Sequence, residues 1–63
     1  MNKLLNIEET AALLNISVKS IYGLTCAKKI PYVKIGTRVL FDPQEIKKFV
    51  EDRKIKPIVE VKR

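Results

Sequence analysis

Five basic side chains, Lys19, Lys28, Lys29, Lys34 and Arg38, fall between Val18 and Phe41, and no acidic residue interrupts them. Ammonium and guanidinium groups gathered without acids neutralise phosphates, so the block suits a polyanion. The hydroxyl donor Ser17 stands just before the bases, and Ser20, Tyr22 and Thr37 stand among them. These groups can hydrogen-bond a phosphate oxygen or a base edge. The whole chain carries a net charge of +6 over 63 residues, with 13 bases against 7 acids. The excess is uneven. Residues 1–17 hold Lys3 against Glu8 and Glu9, for a net −1, whereas residues 18–41 reach +5. Residues 42–63 mix seven bases with five acids, for +2.

Other chemistries lack their residues. Histidine is absent, and there is neither a Gly-rich phosphate loop nor a nucleophile–base pair. Cys26 is the single cysteine, so it makes no internal disulfide and no cysteine metal cluster. It reads as a small, semi-buried apolar residue in a reducing cytoplasm. No enzymatic activity, metal, cofactor or small-molecule substrate is expected. Met1–Leu5 ends its apolar run after two leucines, too few for a signal peptide. No stretch approaches the roughly 18 apolar residues that span a bilayer. The expectation is a soluble cytoplasmic protein without membrane association.

The elements that must position the bases are set by caps and turns. Asn6 with Glu9 three residues on forms a capping box for a first helix. Ile7, Ala11 and Leu14 give that helix one apolar stripe, and Asn15 suits the left-handed residue that closes it. Ser17 caps a second helix two residues later. Ile21, Leu24 and Thr25 face inward on it, and Lys19, Ser20, Tyr22 and Gly23 lie on or near the other face. Gly23 in a helix interior costs about 1 kcal/mol against alanine. Pro31 blocks further helix. A hairpin follows, Tyr32–Ile35 and Arg38–Phe41, turning at Gly36-Thr37, where glycine first suits a type II′ turn. Its register is open. Asp42-Pro43-Gln44-Glu45 then opens a third helix, with Asp42 as cap, Pro43 at the first position and Glu45 closing a second box. Ile46, Phe49 and Val50 form its apolar face, with Phe49 the largest residue on it and expected in the core.

The fold class expected is α+β, mostly α. It is a winged helix-turn-helix of three short helices and a two-stranded β-hairpin wing over residues 1–54, with a basic and apolar tail at 55–63. A chain of this size buries only about 60% of its unfolded surface. A helix-turn-helix can set its second helix in the DNA major groove while a hairpin reaches the backbone beside it. Double-stranded DNA is therefore the expected partner, through Ser17, Val18, Lys19, Ser20, Tyr22, Gly23, Lys28, Lys29, Lys34, Thr37 and Arg38. Base reading falls to Lys19, Ser20 and Tyr22. Lys19 can equally touch a phosphate, and Tyr22 can pack its ring on the wing and offer its hydroxyl alone. Arg38 suits the backbone or the minor groove. Lys28 and Lys29 either touch phosphates or solvate the turn.

The stretch from Leu4 to about Arg53 resembles the small excisionase-type helix-turn-helix domains related to the MerR DNA-binding head. The resemblance rests on four segments in order: Leu5–Leu14, Ile16–Tyr22, Ile30–Gly36 and Asp42–Ile46. It implies a winged helix with the second helix in the major groove, the wing near the minor groove or backbone, and no catalysis. It also implies either assistance to integrase-driven excision of mobile elements or regulation of transcription. Gly23 departs from the pattern, standing where a long polar or basic residue is frequent. The chain looks too short for an effector domain or a long dimerising helix. That favours an excisionase-like accessory factor, with an integrase or a second copy on an adjacent site as protein partner. A small transcriptional regulator is the alternative. A protein-binding adaptor with secondary DNA contact is another, and the apolar residues of the tail favour it.

Overall fold

The computed structural model describes residues 3–57. Its elements run α1 (Ile7–Leu14), α2 (Val18–Cys26), β1 (Val33–Ile35), β2 (Arg38–Leu40) and α3 (Pro43–Asp52). This is the expected α+β architecture of three short helices and a two-stranded antiparallel hairpin.

The first capping box forms as read. The Glu9 amide donates to Asn6 Oδ1 at 2.7 Å, and the Asn6 amide donates to Glu9 Oε1 at 2.9 Å. Ile7 and Ala11 are buried and Leu14 half-buried. Thr10, outside the apolar stripe, is also fully buried. Its hydroxyl donates to the Asn6 carbonyl at 2.9 Å. An unpartnered buried hydroxyl would cost about 1–3 kcal/mol, and this bond removes that cost.

Both helices of the pair end the same way. Asn15 adopts the left-handed conformation (φ 57, ψ 42), and Ile16 N–H donates back to Ala11 O at 3.0 Å. Lys28 repeats it with φ 57, and Lys29 N–H donates to Leu24 O at 2.8 Å. These six-to-one bonds are Schellman closures. Asparagine tolerates the left-handed region. A lysine there sets its Cβ against the backbone, at about 1–2 kcal/mol. Lys28 thus has a backbone role that its charge did not announce. Between the closures, Ser17 caps α2 by accepting the Ser20 amide at 3.0 Å.

In the hairpin Val33 faces Leu40, Lys34 faces Val39 and Ile35 faces Arg38, leaving Gly36-Thr37 as the loop. Gly36 has φ +63, and Thr37 is not among the residues of positive φ. A positive φ at the first loop position alone is the type II′ pattern, as expected. The ladder stops short of Tyr32 and Phe41. Phe41 pairs instead with Leu5, each amide donating to the other's carbonyl at 2.8 Å. That bridge ties the entry of α1 to the exit of the wing.

The second capping box does not form. Asp42 Oδ1 accepts the Gln44 amide at 2.9 Å, so the cap carboxylate is engaged one residue earlier than Glu45. Glu45 instead lines a recess with Lys28, Lys29 and Lys48.

The core consists of Ile7, Ala11, Ile21, Ile30, Phe41 and Ile46. Phe41 is its largest member and fully buried. Phe49, expected as the anchor, packs on the core from a half-buried position. Its ring carries the Arg53 guanidinium at 3.7 Å. Arg53 also donates to Lys29 O and to Phe49 O, both at 3.2 Å. One guanidinium thus joins the end of α3 to the closure of α2. Val50 is exposed, so the apolar face of α3 is narrower than its sequence suggests. Cys26 is exposed, not semi-buried, because it faces away from Ile21 and Leu24 at the last turn of α2. Ile58, Val59 and Val61 of the tail lie outside the described residues.

Candidate nucleic-acid interface

The outward face of α2 presents Lys19, Ser20, Tyr22 and Gly23, all exposed. Ser17, also exposed, precedes them as the cap. The Ser17 hydroxyl donates to Ser20 Oγ at 2.9 Å while accepting the Ser20 amide. The Ser20 hydroxyl keeps its own proton for an outside acceptor. Val18 departs from the expected set. It is half-buried and packs on the core, so its side chain serves the fold rather than a surface. A Cβ built on Gly23 meets nothing within 4 Å. The space at that point is open.

The wing supplies Lys34, Thr37 and Arg38, all exposed around its tip. The fold brings α2 and the wing together at one place. A recess of about 260 Å³ is lined by Tyr22 from α2, by Thr37, Arg38 and Val39 from the wing, and by Asn6, Ile7 and Glu8 at the start of α1. Tyr22 remains 54% exposed there. Asn6 and Glu8 entered the sequence reading only as helix-start residues. Nothing local to residues 6–8 signals that the wing returns to them; the Leu5–Phe41 bridge does that.

Lys28 and Lys29 lie elsewhere. They line a second recess, of about 330 Å³, with Ile30, Pro31 and residues of α3 that include Glu45, Lys48 and Asp52. Two carboxylates there moderate the local positive potential. Of the eleven expected residues, Tyr22, Thr37 and Arg38 therefore meet in the first recess and Lys28 and Lys29 in the second, Val18 turns to the core, and Ser17, Lys19, Ser20, Gly23 and Lys34 are exposed outside both recesses.

Among the described residues the ion pair is Lys54–Glu51, at 3.3 Å. None of Lys19, Lys28, Lys29, Lys34 and Arg38 is paired within it. Their charges are therefore available to an external anion. Also among the described residues, no group of His, Cys, Asp and Glu could hold a metal ion, and no helix is long and apolar enough to cross a membrane.

Comparison with known proteins agrees with this geometry. The model of the helix-turn-helix domain family matches residues 4–54, which takes in all five elements. Searches of curated proteins and of solved structures returned no match. Two capped helices joined through Asn15-Ile16, unpaired bases on the second helix, the turn after it and the wing, and a family match over most of the chain converge. The chain belongs to the helix-turn-helix domain family and is a small DNA-binding protein.

Proposed function

We propose that α2 enters the major groove of duplex DNA while the β1–β2 wing lies on the adjacent backbone and minor groove. The observation that carries this reading is the acid-free run from Val18 to Phe41, whose five bases have no ion-pair partner among the described residues. Lys19, Ser20 and Tyr22 face the bases. Lys34, Thr37 and Arg38 hold phosphates or the minor groove, and Lys28 and Lys29 add long-range attraction from the junction. Phosphate contacts fix register and affinity, and the few groups on α2 supply base preference.

The role we propose is an excisionase-like accessory factor. It occupies DNA beside an integrase or a second copy of itself. The ordered resemblance of the Leu5–Leu14, Ile16–Tyr22, Ile30–Gly36 and Asp42–Ile46 segments to excisionase-type domains supports it. Four or five phosphate contacts give a slope of log affinity against log salt of about −4. Fluorescence anisotropy on a labelled duplex between low and moderate salt measures that slope, and a flat response would remove DNA as the partner. Sequencing of genomic fragments captured by the protein then separates the roles. Fragments from the ends of a mobile element support the accessory factor; fragments confined to promoters transfer the function to transcriptional regulation.

A further inference from the structure

Ile35 is 54% exposed at the tip of a basic hairpin. A lone exposed aliphatic residue is ordinary on a protein surface, but this one sits at the tip of the hairpin that the proposed mode lays against DNA. Its cross-strand partner is Arg38, not an apolar residue. Directly opposed residues of an antiparallel pair project from the same face. Strand alternation adds Val33 and Leu40 to that face, both half-buried. The opposite face belongs to the fold, since Tyr32, Val39 and Phe41 all pack in or on the core. The wing therefore presents outward an aliphatic group beside a guanidinium, with Thr37 exposed at the turn between them.

The occupant must be apolar where Ile35 meets it and anionic around it. The A·T minor groove meets both: its walls are deoxyribose edges, its floor offers acceptors without amino groups, and its narrow form concentrates negative potential that attracts arginine. We propose that Ile35 is a specificity-determining residue that, with Arg38, selects A·T over G·C pairs in the minor groove. The inference rests on the DNA-binding mode proposed above and adds what the wing reads. Its mechanism is exclusion. A G·C pair places the guanine 2-amino group on the groove floor. Ile35 methyls would cover that donor and offer it no acceptor, and a covered donor without a partner weakens binding. An A·T pair puts no donor there.

Three synthetic duplexes separate the grooves: poly(dA·dT), poly(dG·dC) and poly(dI·dC). Inosine lacks the 2-amino group, so the third duplex presents an A·T-like minor groove and a G·C-like major groove. Titrations by anisotropy at fixed salt, on the parent and on Ile35→Ser, form the experiment. Thermal melts of both proteins accompany it, and the partial exposure of Ile35 predicts only a small loss of melting temperature. The parent binds poly(dA·dT) and poly(dI·dC) alike and poly(dG·dC) roughly tenfold more weakly, the lower part of the range for an unsatisfied donor. In Ile35→Ser, whose hydroxyl can accept from the amino group, that preference shrinks to about twofold or less. The inference is overturned if poly(dI·dC) follows poly(dG·dC), if the parent treats the three alike, or if Ile35→Ser keeps the full preference. Those failures leave steep salt-dependent binding in place. Absence of binding to all three duplexes would instead overturn the proposed DNA-binding mode.

Discussion

At Gly23 the helix most exposed to a ligand carries the residue least suited to a helix. Nothing lies within 4 Å of a Cβ built there, so any side chain that projects outward fits. Gly23→Arg should keep the fold, stabilise it by about 0.5–1 kcal/mol through helix propensity, and tighten general DNA binding severalfold. Melts and anisotropy titrations check both halves. Weaker binding would show that the backbone at Gly23 approaches DNA too closely for a side chain. Lys28 separates conformation from charge in the same way. Lys28→Gly relieves a left-handed lysine with φ 57 and should raise stability by about 1 kcal/mol. The lost charge should weaken DNA binding by only a small factor, since Glu45 and Asp52 share its recess. A lower melting temperature would show that the lysine stem packs in place. Exposure of Lys19, Ser20 and Tyr22 was legible in the sequence because a capped helix with Ile21 inward fixes its opposite face. The conformation of Lys28 was not, because glycine or asparagine marks such a closure in sequence and lysine does not.

Among the elements, the hairpin and α3 hold the site through one aromatic and one guanidinium. Phe41 is fully buried and pairs with Leu5 through two 2.8 Å bonds. Phe41→Ala should cost about 3–5 kcal/mol, which exceeds what a domain this small can lose. Phe49→Ala should cost less, since the ring is half-buried, although it also removes the platform under Arg53. Urea titration of the two variants ranks them, and a milder effect at Phe41 would move the centre of the core. Helical periodicity singled out Phe49 because it lies on the apolar stripe of a well-capped helix. Phe41 sits where a two-strand pattern ends at a cap, and its burial depends on a bridge to a residue 36 positions earlier. Short-range patterning does not carry such a pairing. Asp42 was legible as a cap for the converse reason: the aspartate–proline pair acts within one turn. Which amide its carboxylate binds was not, because a cap side chain can accept from either the second or the third amide of its helix.

Across the whole molecule, charge and fold divide the labour. The α1–α2 pair, the wing and the third helix were readable from caps, breakers and a turn signal, all of which act over a few residues. The recess that brings Tyr22, Arg38 and Glu8 together was not, because it exists only once the wing has folded back to the start of α1. Glu8 puts one acid on a surface otherwise free of acid, and Glu8→Gln should tighten DNA binding about two- to fivefold at low salt. An unchanged affinity would place the DNA path away from the recess. The proposed mode makes a claim about location, and location is read most directly by amide chemical shifts. A two-dimensional proton–nitrogen spectrum of the labelled protein, recorded with increasing short duplex at low salt, follows every amide at once. The shifts should concentrate at Lys19–Gly23 and Ile35–Arg38 and leave the outer face of α3, at Lys47 and Glu51, nearly unmoved. Shifts centred on α3 with α2 and the wing silent would contradict the proposed interface outright.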